Sequence, residues 1–204
     1  MAFISSLIAT YGMTLKGLPP SLLLNILRIS EGCNLNINTI MTMFGYIKSI
    51  AKKYVLLAVK SESISDIYNY LPITDMISTS GQPMENEFKL IKSQGFEQVI
   101  NLAPHNAENS LKNEALTLNN LGMNYFHIPV AFDNPIEEDF EQFKDLLREN
   151  KSKKVWIHCA ANMRVSAFIY RYRRSVLGES EDIAKADLNK IWQPFGAWTE
   201  FIKQ

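Results

Sequence analysis

The chain has 204 residues, of which 47% are hydrophobic, and its 21 basic side chains balance 21 acidic ones. This length and composition are typical of one globular domain with a sizeable core and room for an appendage. The charge balance excludes the basic footprint expected of a nucleic-acid-binding protein. Its two cysteines, Cys33 and Cys159, do not make a disulfide framework, which favours a reducing compartment and therefore a cytoplasmic location.

Residues 1–60 are predicted to form a helical extension whose role the sequence does not define. From residue 40 onward, apolar side chains recur at helical spacing. Lys48, Lys52 and Lys53 leave open an interfacial helix on anionic lipid, whereas a helix that covers the following domain is the simpler interpretation. No run of about 18 uncharged apolar residues occurs, so we expect no membrane span and no membrane association.

Residues 61–204 are predicted to form the domain proper, in which strands and helices alternate at short spacing. The predicted strands cover residues 73–79, 97–102, 123–130 and 155–159, and the helices between them end near residues 93, 121 and 149. This alternation predicts an α/β fold with a mostly parallel central sheet and helices on both faces. Ligands of such sheets bind beyond the carboxyl ends of the strands, where the loops after residues 102, 130 and 158 are expected to converge.

The last predicted strand ends at His158 and Cys159, and a helical pattern begins just after Arg164. The tight loop between them consists of Ala160, Ala161, Asn162 and Met163. Peptide N–H groups of such a loop, together with the N-terminus of a helix, make an anion-binding site. The sequence therefore predicts a phosphate-binding loop of these four residues and Arg164.

The residue types in this loop indicate a covalent mechanism. A helix N-terminus and a guanidinium group favour the thiolate form of a cysteine, which is the nucleophile. The planar fork of Arg164 and the loop N–H groups are suited to the three oxygens of a phosphoryl group during its transfer. Attack by Cys159 would give a phosphocysteine that water hydrolyses, with Ser166 donating a hydrogen bond to the departing thiolate.

Asp133 is the candidate general acid, because it follows the predicted strand that ends at residue 130. A carboxylic acid at this edge of the sheet would protonate the leaving oxygen. An aspartate before Asn-Pro is also common in turns and as a helix cap, and that interpretation stays open. Glu137, Glu138 and Asp139 are rival acids, although acidic residues also fill first helical turns to complement the helix dipole.

His158 and Cys159, followed by Arg164 and Ser166, resemble the active-site loop of cysteine-dependent protein tyrosine and dual-specificity phosphatases. The similarity is greatest to small bacterial phosphatase-like domains that also occur fused to NAD kinase or to β-lactamase-like hydrolases. It covers roughly residues 64–203, including segments 79–83, 99–103, 128–133 and 192–198.

The resemblance implies a phosphomonoester hydrolase with Cys159 as nucleophile, Arg164 as phosphate clamp and Asp133 as acid. It implies no cofactor and no metal. The expected partner is a phosphorylated small molecule or phosphoprotein. His158 is expected to bond to backbone near the loop and to tune the thiol.

The loop departs from the phosphatase pattern, which has five residues between cysteine and arginine where this chain has four. Four is the spacing of rhodanese-type sulfurtransferases, which carry a persulfide on the cysteine. The glycine usual in the phosphatase loop is also missing, and Asn162 is the one loop residue that readily adopts positive φ. Two alternatives therefore stay open: a sulfurtransferase using Cys159, and a non-catalytic phosphate-binding module.

Overall fold

The computed structural model describes residues 39, 42, 45, 46 and 61–204. The predicted extension over residues 1–60 thus lies almost entirely outside the described residues. The four described residues of that extension are Thr39, Thr42, Gly45 and Tyr46, and all four are helical.

The described part of the chain contains one five-stranded sheet. Its strands are β1 (Leu71–Pro72), β2 (Ile77–Ser80), β3 (Phe96–Asn101), β4 (Asn124–His127) and β5 (Lys154–His158). They lie in the order β1-β2-β5-β3-β4, and every neighbouring pair is parallel except β1 and β2. This arrangement confirms the mostly parallel sheet that the sequence predicts, and it places β5 at the centre.

Helices connect these strands and follow the last one. They are α1 (Glu87–Ser93), α2 (Glu114–Asn120), α3 (Glu137–Glu149), α4 (Met163–Ser175), α5 (Glu181–Ile191) and α6 (Ala197–Phe201), and a 3₁₀ turn (Ile64–Asp66) precedes the sheet. Gly95 and Gly122 end α1 and α2 with φ values of 84° and 64°. These values lie in the left-handed region, which glycine adopts without steric cost.

The sheet carries a hydrophobic core on each face, as the sequence predicts. Trp156 of β5 is fully buried and packs on one face with Phe88 and Ile91 of α1. Its neighbours Val155 and Ile157 point to the other face, toward α3, α4 and α6. Burying a large apolar side chain of this kind contributes about 2–3 kcal/mol. The central strand, and the cysteine that follows it, are therefore fixed from both sides.

The first predicted strand, residues 73–79, is wrong in its extent and its position. A turn interrupts it, because the Thr74 hydroxyl accepts hydrogen bonds from the backbone N–H groups of Met76 and Ile77. β2 therefore begins only at Ile77, and β1 folds back against it. β2 lies between β1 and β5, so the edge strand is β1.

Candidate active site

Cys159 lies directly beyond the carboxyl end of β5, at the centre of the sheet edge. Its side chain is buried, with 0% exposure, and its backbone N–H donates to the Ser80 carbonyl of β2 at 3.4 Å. The chain then forms a loop over residues 160–162 and enters α4 at Met163. The predicted loop residues are therefore brought together around the cysteine.

Neighbouring segments hold the carbonyl groups of this loop. The Ala160 carbonyl accepts from the Gln82 N–H at 3.3 Å and from the Asn109 amide at 2.8 Å. The Ala161 carbonyl accepts from the Asn69 amide at 3.0 Å. In a trans peptide the N–H points away from the carbonyl that precedes it. The loop carbonyls thus face the surrounding segments, and the N–H of Ala161 faces the opposite side.

Asn162 is the residue at which the chain turns from the loop into α4. Its φ of 65° lies in the left-handed region, as the sequence predicts for a loop without glycine. Its buried side-chain amide donates to the Asn69 carbonyl at 2.8 Å and to the Thr79 hydroxyl at 3.0 Å. These bonds hold the residue in the strained conformation and set the direction in which α4 starts, with the N–H of Met163 at its open end.

Arg164 lies in the first turn of α4, where a cation opposes the helix dipole. Its guanidinium carbon lies 5.1 Å from the centre of the Phe132 ring. Its Nε is buried and has no hydrogen-bond partner among the described residues. A buried donor without a partner is costly, and an anion in the loop would supply the missing acceptor.

The loop after β4 contributes Phe132 to the site and carries Asp133. The Phe132 ring packs against Trp192, Phe195 and Trp198, and its carbonyl accepts from the Trp198 indole N–H at 2.7 Å. The C-terminal tryptophans therefore fix this loop beside Arg164. Asp133 is the next residue, and it is exposed to solvent.

Asp133 does not cap the helix that follows it. The N-cap of α3 is Ile136, and no side chain makes a capping bond there. The rival acids Glu137, Glu138 and Asp139 occupy the first turn of α3, as the sequence predicts. Glu137 is paired with Arg171 through two bonds of 2.9 and 3.0 Å.

His158 points away from the loop and contacts a buried carboxylate. Its Nε2 lies 3.0 Å from Oε1 of Glu114, and the two side chains are 0% and 2% exposed. Glu114 also accepts from the side-chain amides of Gln82 at 2.6 Å and Asn101 at 3.2 Å. The sequence predicts a backbone partner for His158, and the structure instead shows a carboxylate.

Glu114 remains charged despite its burial. Burial raises its pKa, but the attraction and hydrogen bond of His158, with hydrogen bonds from Gln82 and Tyr125, outweigh that effect and hold the pKa below its usual value. Sequence reasoning missed this residue. A glutamate at the start of α2 is expected for the helix dipole alone, and its partner lies 44 residues away in the chain.

Ser166 lies one turn into α4. In the structure its hydroxyl donates to the Met163 carbonyl at 3.0 Å and accepts from the Trp192 indole N–H at 3.1 Å. The hydroxyl therefore ties the start of α4 to the C-terminal segment. Its predicted bond to the thiolate of Cys159 stays a prediction.

Replacing Glu114 by glutamine is expected to lower the free energy of unfolding by about 2 kcal/mol. The amide keeps the size of the side chain, but its N–H hydrogens face His158 or Gln82. Both of these side chains donate hydrogen bonds to the wild-type carboxylate, so a donor would then face a donor. Urea denaturation measures the change. Glu85→Gln is the matched control, since Glu85 is exposed and its substitution should stay within about 0.5 kcal/mol.

The same variant should alter the response of stability to acid. Because the folded state holds the pKa of Glu114 below 4.5, its contribution is complete above that value and is lost as the pH falls through the folded pKa. The wild-type chain should therefore lose more stability below pH 4.5 than Glu114→Gln does. Equal acid sensitivity of the two chains would contradict the charged state assigned to Glu114.

A central parallel strand that ends at a buried cysteine, a short loop and an arginine in the first turn of the next helix define a phosphatase-like α/β domain. The family model described as "DSP-PTPase phosphatase fused to NAD+ kinase" matches residues 58–196, and the chain belongs to this family.

Solved structures share the fold. A DUF442 phosphatase candidate from Shewanella putrefaciens CN-32 is 30% identical with a TM-score of 0.62, and the match covers 69% of this chain and 92% of that one. The core catalytic domain of the PP-IP phosphatase SIW14 from S. cerevisiae is 14% identical with a TM-score of 0.59, covering 68% and 85% of the two chains. At that identity the second likeness shows the fold alone.

A curated relative is the "Beta-lactamase hydrolase-like protein" of Agrobacterium fabrum, which is 28% identical over 129 residues. The match covers 61% of this chain and only 28% of that protein. Within the described residues, no helix is long and apolar enough to cross a membrane. Over the same residues, no group of three or more His, Cys, Asp or Glu side chains lies in a position to hold a metal ion.

Proposed function

We propose that this chain hydrolyses phosphomonoesters through a phosphocysteine intermediate on Cys159. The observation that carries the proposal is a buried cysteine at the end of the central strand, followed by a short loop and by Arg164 in the first turn of α4. The loop carbonyls are held by outside donors, and Arg164 offers a buried Nε without a partner among the described residues. Membership of a phosphatase family supports the same conclusion.

In the first step the phosphoryl oxygens bind to the loop N–H groups and the guanidinium of Arg164. The thiolate of Cys159 attacks phosphorus, an S–P bond forms, and the P–O bond to the leaving group breaks. Asp133 gives its proton to the leaving oxygen. The loop and Arg164 stabilise the charge that develops on the transferring phosphoryl oxygens.

In the second step water attacks the phosphocysteine and Asp133, now a carboxylate, takes a proton from that water. The S–P bond breaks, inorganic phosphate forms, and the thiolate returns. Ser166 is proposed to assist the departing thiolate after its hydroxyl turns away from the Met163 carbonyl. His158 and Glu114 act at a distance, by fixing the strand end from which Cys159 projects.

The proposed substrate is a phosphorylated small molecule or a phosphoprotein. The proposed location is the cytoplasm, where a cysteine nucleophile stays reduced. Residues 1–60 are proposed to be an extension of the catalytic domain over residues 61–204.

The spacing of four residues between Cys159 and Arg164 favours a second candidate, a sulfurtransferase that carries a persulfide on the same cysteine. That reaction needs the loop and the cysteine but no acid. Purified protein should be assayed for phosphate release from phenyl phosphate and, in parallel, for thiocyanate formation from thiosulfate and cyanide. Phosphate release alone is the expected result. Thiocyanate formation without phosphate release would contradict the proposal, and phosphate binding without either turnover would indicate a binding module.

A further inference from the structure

Four helical residues, Thr39, Thr42, Gly45 and Tyr46, together called the segment below, are attached to the catalytic domain by hydrogen bonds at two places. They belong to the compact unit of residues 35–204. The Thr39 hydroxyl accepts from the Gln193 N–H at 2.9 Å, and the Thr42 hydroxyl donates to the Ile191 carbonyl. The Tyr68 hydroxyl donates to the Thr42 carbonyl. The segment is thus held between the end of α5 and the turn that precedes β1.

Tyr68 also connects this segment to the catalytic loop. A Cβ placed on Gly45 would lie 2.4 Å from Cε2 of the Tyr68 ring, and one placed on Gly81 would lie 2.5 Å from Cδ1 on its opposite edge. The same point on Gly81 is 3.2 Å from the Ala160 carbonyl. Real Cβ atoms do not approach so closely, so both glycines are required for the ring to fit. The ring of Tyr68 therefore sets the distance between the segment and the loop.

Tyr46 is the next residue after Gly45, and its side chain contacts the catalytic domain. It is half-buried and packs against the core cluster that contains Cys159. Burial is the main cause that raises its pKa to about 12, and the charges of Glu108 and Cys159 add to it while Arg164 opposes it. The Glu108 backbone hydrogen-bonds the Tyr46 hydroxyl. The hydroxyl therefore lies within the electrostatic range of both Cys159 and Arg164, as a neutral phenol.

We propose that Tyr46 is a specificity-determining residue that forms one wall of the catalytic pocket and restricts it to phosphomonoesters with compact leaving groups. Cys159 is fully buried, so a substrate reaches it only with its phosphoryl group, and the leaving group must lie among the residues at the loop's rim. Tyr46 cannot retreat easily, because Gly45 is in close contact with Tyr68 and the hydroxyl is bonded to Glu108. This proposal rests on the proposed function, since it concerns the substrate of the same site.

The test measures the binding of two phosphonates, which contain no bond that the enzyme hydrolyses. Phenylphosphonate carries one ring, and 1-naphthylphosphonate carries additional bulk close to phosphorus. Titration calorimetry on the whole chain gives the ratio of the two affinities. Tyr46→Ala is expected to shift this ratio about tenfold in favour of the naphthyl compound, since a pocket that gains a side-chain volume discriminates less against size. Tyr46→Phe, which keeps the ring, should leave the ratio within about twofold.

A second variant tests the position of Tyr46 at the pocket without changing Tyr46 itself. Gly45→Ala suits a helix, so its effect comes from the contact with Tyr68. Because Gly81 confines the opposite edge of the Tyr68 ring, we expect the four helical residues, rather than the ring, to move. This variant should shift the affinity ratio in the same direction as Tyr46→Ala. An unchanged ratio in both variants, or an equal loss of both ligands, would overturn the role of Tyr46. Failure of the wild-type chain to bind phenylphosphonate and inorganic phosphate would instead overturn the proposed function, and the specificity role of Tyr46 would fall with it.

Discussion

Replacing Cys159 by serine is expected to reduce phosphate release from phenyl phosphate by at least about 1,000-fold. A serine hydroxyl is a far weaker nucleophile than a cysteine thiolate, so the nucleophile of the first step is lost. The side chain differs by one atom and is fully buried, and the loop is held through its backbone carbonyls. The variant should therefore keep its fold and its affinity for inorganic phosphate. Initial rates and calorimetry on the same preparation separate the two effects.

The control for this variant is Cys33→Ser, which alters the other cysteine of the chain. It should release phosphate at the wild-type rate. Phosphate release by Cys159→Ser within about tenfold of the wild-type rate would contradict the nucleophile assignment. Loss of phosphate affinity in the serine variant would indicate a collapsed loop, and the rate would then carry no information on chemistry.

Replacing Asp133 by asparagine is expected to lower kcat/KM for phenyl phosphate by about 100-fold, while kcat/KM for p-nitrophenyl phosphate falls much less. A basic leaving oxygen requires a proton as the P–O bond breaks, whereas nitrophenolate departs without one. The dependence on leaving group separates an acid from a structural residue, because damage to the fold would slow both substrates equally. The comparison is made from kcat/KM for the two esters, measured with the wild-type chain and Asp133→Asn at one pH, because kcat/KM excludes the hydrolysis of the phosphocysteine.

Asp139→Asn is the matched control for the acid. Burial, with the charge of Glu138, raises the pKa of Asp139, which is the property that a general acid requires, so it is the stronger rival in the first turn of α3. Asp139→Asn should hydrolyse both esters at near wild-type rates. If this variant shows the leaving-group dependence and Asp133→Asn does not, the acid is Asp139.

The catalytic loop could be predicted because the sequence patterns that define it lie directly beside it in the chain. The β-strand before Cys159 and the helix after Arg164 both show in the apolar pattern, and their junction fixes where the loop lies. The predicted left-handed residue, Asn162, followed from the absence of glycine between them. The helix predicted to end near residue 149 is α3, which ends at Glu149.

The parts that sequence reasoning missed depend on contacts between distant segments. Glu114 has an ordinary place at the start of a helix, and only the fold brings it to His158. The turn at Thr74 combines backbone hydrogen bonds between Thr74 and Ile77 with the Thr74 hydroxyl, which competes with strand pairing. The position of Tyr46 depends on Gly45 and Gly81 contacting opposite edges of the Tyr68 ring, which no local pattern shows.

A covalent phosphocysteine on Cys159 can be trapped by acid quenching during turnover. Wild-type protein mixed with phenyl phosphate would be quenched within one turnover, digested, and analysed by mass spectrometry. We expect one added phosphoryl group on the peptide that contains Cys159, and no such adduct in Cys159→Ser. Phosphate release without any adduct on this peptide, or an adduct on another residue, would contradict that expectation.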